Sequence, residues 1–341
     1  MRRADLRIWV CCGLAASIGA GARGDEGRLS VAMFGDLYRV ASHHDPSVDG
    51  KHGSWIRRVN VVYDRRLEGG LSARLTLEAK DPGDFGTSSD LEPFVKDLWV
   101  RWERSGHAVA FGLVPTPSVS PMEARLGYRP IDKHTLDLFR MTSTRDKGVS
   151  VRGPLDRRGR AEYELAVGDA SGTKSSTGDT QAVYGRVAFR AAEGVTLDLY
   201  GDWWDRKAGE EWTTWKAEAA SVGRSGKLGV LWATQRRTAP GRQSRDLDVW
   251  SLYGEWTASP VLHPFVWLHV AEDPIPDARK IEYYRMSPDG KPTVWLAGAR
   301  IRIAEGLELI PTLVRVDYRR VGSAPKPDSD TFLRLTFSAR F

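Results

Sequence analysis

The stretch "TFLRLTFSARF", residues 331–341, puts Leu333, Leu335, Phe337, Ala339 and Phe341 on one parity and Arg334, Thr336, Ser338 and Arg340 on the other. Strict alternation at period two marks a β-strand whose successive side chains point to opposite faces. One face here is apolar and the other is polar and cationic. Soluble domains usually finish in a frayed polar tail, whereas this strand carries an aromatic on its apolar row at the last residue.

The same alternation recurs along the chain. "LSARLTLEAK" (71–80) sets Leu71, Ala73, Leu75, Leu77 and Ala79 against Ser72, Arg74, Thr76, Glu78 and Lys80. "AEYELAVGD" (161–169) and "VTLDLYGDW" (195–203) repeat it. Short turns, most of them glycine-bearing, follow at 68–70, 104–106, 157–159, 192–194, 223–226, 258–260 and 304–306. They alternate with longer polar loops near 41–53, 81–92, 115–146, 170–179, 205–211, 237–246, 272–291 and 320–329. Seven turns and eight loops join sixteen strands, the first near 29–40 and the last at 330–341. Short connections on one side, long ones on the other and an even strand number predict a transmembrane antiparallel β-barrel, all-β in class. Its turns are expected to be periplasmic and its loops external. Trp55, Trp102, Trp203, Trp212, Trp215, Trp250, Trp256 and Trp295 fall near strand ends, where interfacial girdles take amphipathic rings. Two strands resist the pattern. Pro311 in "LELIPTLVRVDY" predicts a bulge or a switch of parity. "VLHPFVWLHVA" is apolar on both faces, with His263 and His269 marking the inward one.

The N-terminus names a compartment. "MRRADLR" is basic, "IWVCCGLAASIGAGA" is apolar and small, and Ala20-Gly21-Ala22 is an A-x-A-type cleavage site, so residues 1–22 read as a secretory signal peptide. Residues 23–341 form the single mature domain. Both cysteines leave with the signal, and no disulfide is expected. The net charge of +6 falls to +4 when the signal's three arginines and one aspartate go. That balance gives no ground for a nucleic-acid partner.

The polar parity carries many charges, among them Arg58, Glu78, Asp97, Glu164, Asp198, Lys216 and Glu218. A dry interior would have to pair nearly all of them, so the reading is a solvated pore. Arg58, Arg74, Arg101, Arg300, Arg302, Arg334 and Arg340 form a basic pore wall. Acidic residues on the seventh, ninth, tenth and twelfth strands oppose it; the pair of walls either sets a transverse field or, as mixed charges, simply wets the lumen. The third loop (115–146) is the longest, and loops of such length are usually functional. Folded inward, it would bring Arg125, Arg129, Lys133 and Arg140 to a constriction, with Glu123, Asp132 and Asp137 as counter-charges.

These features resemble a Gram-negative outer-membrane porin. "FGLVPTP" (111–117), "TRDKGVSVRG" (144–153) and "ELAVGDASG" (164–172) are similar to the phosphate-selective porin (porin O and P) family. The resemblance implies an outer-membrane homotrimer, a third loop constricting the pore and cations guiding anions such as phosphate. The partners are then outer-membrane lipid, small hydrophilic solutes or anions, and the assembly machinery that reads a terminal outward aromatic. No cofactor, catalytic group or metal site is expected. "SHHD" (42–45) with His52 reads as solvated loop residues, and Glu162 with Glu164 as alternate wall positions. Two alternatives stay open at this point. One is an outer-membrane barrel enzyme and the other a soluble exported β-sandwich binding carbohydrate.

Overall fold

A computed structural model describes residues 27–176, 178 and 180–341. The signal-peptide expectation lies outside the described residues. Sixteen strands close one antiparallel barrel in which each pairs with its sequence neighbours and the last with the first. They are β1 (Arg28–Ser42), β2 (His52–Arg66), β3 (Leu71–Ala79), β4 (Phe94–Arg104), β5 (His107–Pro115), β6 (Arg145–Pro154), β7 (Ala161–Gly168) and β8 (Gln181–Ala192). The second half comprises β9 (Val195–Arg206), β10 (Glu210–Gly223), β11 (Gly226–Thr238), β12 (Arg245–Trp256), β13 (Leu262–Ala271), β14 (Lys291–Ala304), β15 (Leu307–Arg319) and β16 (Asp330–Arg340). Closure runs from Ala32↔Arg340 through Leu37↔Leu335, and Phe341 exchanges both backbone bonds with Val31, at 2.7 and 3.0 Å. No open edge remains there to pair with another chain.

The alternation read from the sequence sorts the faces. Leu333, Leu335, Leu199, Leu165, Phe111 and Val266 are exposed on the outside of the barrel. Trp102, Trp215, Trp250, Trp256 and Trp295 lie outside as well, but Trp55 is buried within the lumen. Trp212, also expected in the girdle, lines an internal chamber. One of the two-residue turns, Ser105-Gly106, has φ of 53° and 80°, the paired left-handed geometry that matches the twist of such a hairpin. The loop expected at 205–211 shrinks to the single turn Lys207–Gly209, because β9 and β10 stay paired as far as Arg206 and Glu210.

Two bulges invert parity in β2 and β4. Phe34 pairs Arg58 and Gly35 pairs Ile56, so Arg57 is the extra residue and both Arg57 and Arg58 point inward. Lys96 is likewise unpaired between Val95 and Asp97, and both Lys96 and Asp97 are buried inside. The bulge expected at Pro311 is absent. Pairing to β16 is continuous through Pro311↔Leu335, and only the ladder to β14 lapses, between Gly298↔Thr312 and Ile301↔Leu309.

Two long connections fold inward. L3 (116–144) carries helices α1 (Ser120–Leu126) and α2 (Thr135–Leu138). L7 (272–290) buries Ile275, Ile281, Tyr283, Tyr284 and Met286 in the same apolar cluster as Ile131, Leu136, Leu138 and Phe139 of L3. The cluster covers Val314, Val316, Phe265 and Trp267 on the inner wall. That explains why β13 and β15 are apolar on both faces: one faces out and the other faces a loop. His269 points inward, as its parity predicted, and is fully buried.

Candidate functional site

L3 is nailed to the wall mainly through its own backbone carbonyls. Arg57 donates to Ile131 O at 3.1 Å and to Pro130 O. Lys216 reaches Ser118 O at 3.0 Å, Lys227 reaches Leu126 O at 2.9 Å and Arg300 reaches Gly127 O at 3.0 Å. Tyr128 packs on Trp267, their ring centres 4.3 Å apart. A loop carbonyl buried against a cationic donor is a strong, charge-assisted contact. The wall cations thereby fix the loop as well as charging the lumen.

The residues expected at the constriction divide by what they touch. Glu123 and Arg129 pair at 3.5 Å and stay partly accessible. Arg129 lies 5.6 Å from the centre of the Phe34 ring, Arg58 lies 5.9 Å and Arg57 lies 5.0 Å from it. Three guanidiniums, one from the loop and two from the wall, converge there. Lys133 pairs Glu282 of L7 at 2.9 Å, and Arg125 donates to Gly194 O at 2.7 Å. Asp137 lines the chamber above L3, where burial raises its carboxyl but Lys133 and Arg129 outweigh that and hold it below the ordinary value. Arg140 is exposed beside the same chamber. Asp132 is instead buried, with Arg334 Nη2 at 3.3 Å and the Tyr284 hydroxyl donating to it. The two charges neutralise each other, so neither Asp132 as a constriction residue nor Arg334 as a wall residue faces water.

The remaining wall arginines divide in the same way. Arg58 pairs Glu78 at 2.9 Å, Arg74 pairs Asp64 at 2.7 Å, and Arg300 pairs Glu308 at 2.7 Å and Glu255 at 3.4 Å. Arg101 lies over Trp99 at 4.2 Å and makes no ion pair among the described residues. Arg302 and Arg340 line the turn end. Much of the acidic wall is also paired, Asp198 with Arg186 and Lys216, Glu218 with Lys216 and Glu255 with Lys227, whereas Glu164 and Asp202 make no ion pair among the described residues. The expectation of a fully solvated wall with a transverse field is therefore corrected. L3 and L7 exclude water from much of the wall, and a charge in a dry interior is held only with a counter-charge.

Water-accessible space survives as chambers. The one above L3, of about 1220 Å³, is lined among the described residues by ten cationic and four acidic side chains. Below L3, a chamber of about 700 Å³ is lined by six arginines and by Glu162 and Glu164. A third of about 520 Å³ at the turn end takes Arg300, Arg302 and Arg340 against Glu305 and Glu308. Arg57, Lys96, Arg206 and Arg237 escaped the sequence reading. The adjacent pair Arg57-Arg58 inside a strand was the only hint of the first.

His43 and His44 are not the solvated loop residues expected. His43 is buried and His44 half-buried, and their ring nitrogens lie close to the buried carboxylate of Asp330, the three potential ligand atoms within 4.8 Å of one another. His43 Nδ1 accepts the Asp45 N–H at 3.0 Å, which places the proton on Nε2, directed at Tyr284 O at 3.0 Å. That tautomer leaves His43 no lone pair for a metal. His52 is exposed at the start of β2, outside this cluster.

Among solved structures, the chain is similar to the anion-selective porin from Comamonas acidovorans. The TM-score is 0.67 at 14% identity, over 93% of this chain and 99% of that one. The fold is that of the outer-membrane porins. OmpT of Vibrio cholerae aligns with a TM-score of 0.61 at 13% identity, over 94% and 99% of the two chains. OmpF of Salmonella typhi, in a complex with daunomycin, gives 0.66 at 10% identity, over 93% and 98%. No family model matches the sequence, and no curated protein does.

Proposed function

We propose that the chain is a Gram-negative outer-membrane porin, a water-filled channel for the passive diffusion of small hydrophilic solutes, with a preference for anions. The observation that carries the preference is the excess of cations in each of the three chambers, ten to four, six to two and three to two. Such an excess raises the local anion concentration. The outward apolar rows suit lipid, and the porin fold supports the channel reading. Residues 1–22 then export the chain, Phe341 serves recognition by the assembly machinery, and the functional unit is a homotrimer. Preference for phosphate over other anions is the finer reading, supported by the "FGLVPTP" and "TRDKGVSVRG" resemblance. A channel is favoured over an enzyme because the buried His269 and His134 are occupied in holding L3, through Thr135 and Glu218.

The test is a planar-bilayer recording of the refolded protein in a KCl gradient. The reversal potential should have the sign of chloride permeation. Arg58→Gln with Arg129→Gln, which takes the partner from Glu123 and one of two partners from Glu78, should move it toward zero, and a cation-selective wild type would overturn the anion preference. Added phosphate that left chloride current unchanged would reject the phosphate reading alone.

A further inference from the structure

The chamber above L3 contains a cluster of donors with few acceptors. Arg237, on β11, is nine-tenths buried and makes no ion pair among the described residues. Its Nε donates to Gln235 Oε1 at 2.7 Å and its Nη2 to Arg140 O at 2.9 Å, while Nη1 bonds none of the described residues. A buried guanidinium without a carboxylate is costly, and elsewhere on this wall buried cations have one. The Trp212 ring lies 3.7 Å from the Arg237 guanidinium carbon and 4.1 Å from that of Arg206, and Trp204 stacks beside it at 5.9 Å. Stacking on an indole fixes the plane of a guanidinium and leaves its edge free to donate. Among the described residues, the Arg206 Nε and the Trp212 Nε1 are buried without a hydrogen-bond partner. The nearest carboxylate to Arg206, Glu210, stands 3.7 Å off. All four side chains line the one chamber.

We propose that Arg206 and Arg237, held by Trp204 and Trp212, form a binding subsite for an oxyanion, the carboxylate or phosphate group of a passing solute. The proposal rests on the anion-channel reading and specifies where, and by what chemistry, such a solute is held. An acceptor-only group complements a site in which donors outnumber acceptors. Two planar forks favour an oxyanion with two or more oxygens over chloride, which offers no bidentate partner. The site stands above the constriction, so it concentrates the solute before the narrow passage.

The experiment measures chloride current through the refolded full-length protein while inorganic phosphate, or in a second arm acetate, is added on the long-loop side. Wild type should show saturable inhibition by at least one of the two, and the stronger arm names the group. Arg237→Gln should raise the half-inhibiting concentration about tenfold. Trp212→Leu, which keeps both charges but removes the stack, should raise it several-fold. Lys280→Gln, at an exposed pair with Asp277 in the same chamber, should leave it unchanged. Arg237→Lys covers the case where the Gln variant fails to fold, since it keeps the charge and loses the fork, and it too should weaken inhibition. An anion-selective channel with no saturable inhibition, or with all variants within twofold of wild type, overturns the subsite and leaves the channel reading standing. A channel without anion preference overturns both.

Discussion

Replacing Asp132 by Asn removes one charge from the contact that ties L3 to L7 and β16 and keeps the side chain's shape. The pair is almost fully buried, with Arg334 Nη2 at 3.3 Å, and the Tyr284 hydroxyl accepts from Arg334 at 3.1 Å. At that separation and an effective dielectric near 20, the attraction is about 5 kcal/mol, with several kcal/mol of desolvation per ion set against it. The net worth of the pair is therefore small, but stranding Arg334 alone costs about 3–5 kcal/mol. Asp36 offers no relief, being engaged with Arg57 at 2.9 Å. The assay is urea unfolding of the protein in lipid vesicles. Asp132→Asn should lose about 3–5 kcal/mol, and Asp132→Asn with Arg334→Met should recover most of that loss. A single variant within about 1 kcal/mol of wild type, or a double variant whose loss is the sum of the two singles, refutes the reasoning.

Acid should release the same contacts. Burial raises the carboxyls of Asp132 and Glu282, but Arg334 and Arg57 for the first, and Lys133 and Lys80 for the second, outweigh it and hold them below their ordinary values. Their stabilisation is thus complete above the unfolded pKa of about 4 and is lost as pH falls through the lower folded values, so unfolding midpoints followed from pH 6 to 3 should decline only below about pH 4. Arg101→Gln with Arg152→Gln should shift the reversal potential toward cations, because both line the lower chamber and make no ion pair among the described residues; an unshifted value would place selectivity elsewhere. Leu335→Arg, on the outward face, should cost about 2–4 kcal/mol in vesicle refolding. Gly148→Val should cut the yield of heat-modifiable folded barrel, because a Cβ at Gly148 runs into the backbone oxygen of Val167 on the neighbouring strand.

The strands were legible because alternation is local: each requires only its own residues. β3, β5 and β15 begin and end within a residue or two of the positions read from pattern alone. Bulges are not local. Whether Lys96 is an extra residue depends on how many residues of β3 face it, and no window along β4 contains that number. The inward fold of L7 was also missed, although β13 and β15 held a trace of it. A wall strand apolar on both faces requires a dry cover inside, and Ile281, Tyr284 and Leu136 belong to the cluster that supplies it. The third loop was legible as functional by its length. Its attachment was not, because the anchoring acceptors are its carbonyls, which every sequence has.

That attachment changes what the wall charges contribute to selectivity. Arg300 holds Glu255, Glu308 and the Gly127 carbonyl, so it braces L3 while its charge is cancelled nearby. Arg101 and Arg237 are each stacked on an indole and make no ion pair among the described residues, so their charge is not cancelled by a paired carboxylate. A pair cancelled within about 3 Å projects little field across a wide lumen, and salt screens the remainder beyond about 10 Å. On the anion-channel reading, the preference is carried mainly by the few unpaired guanidiniums beside water and not by the number of arginines on the inner face. The indoles make this arrangement stable, since stacking holds a cation in place without the carboxylate that would cancel it.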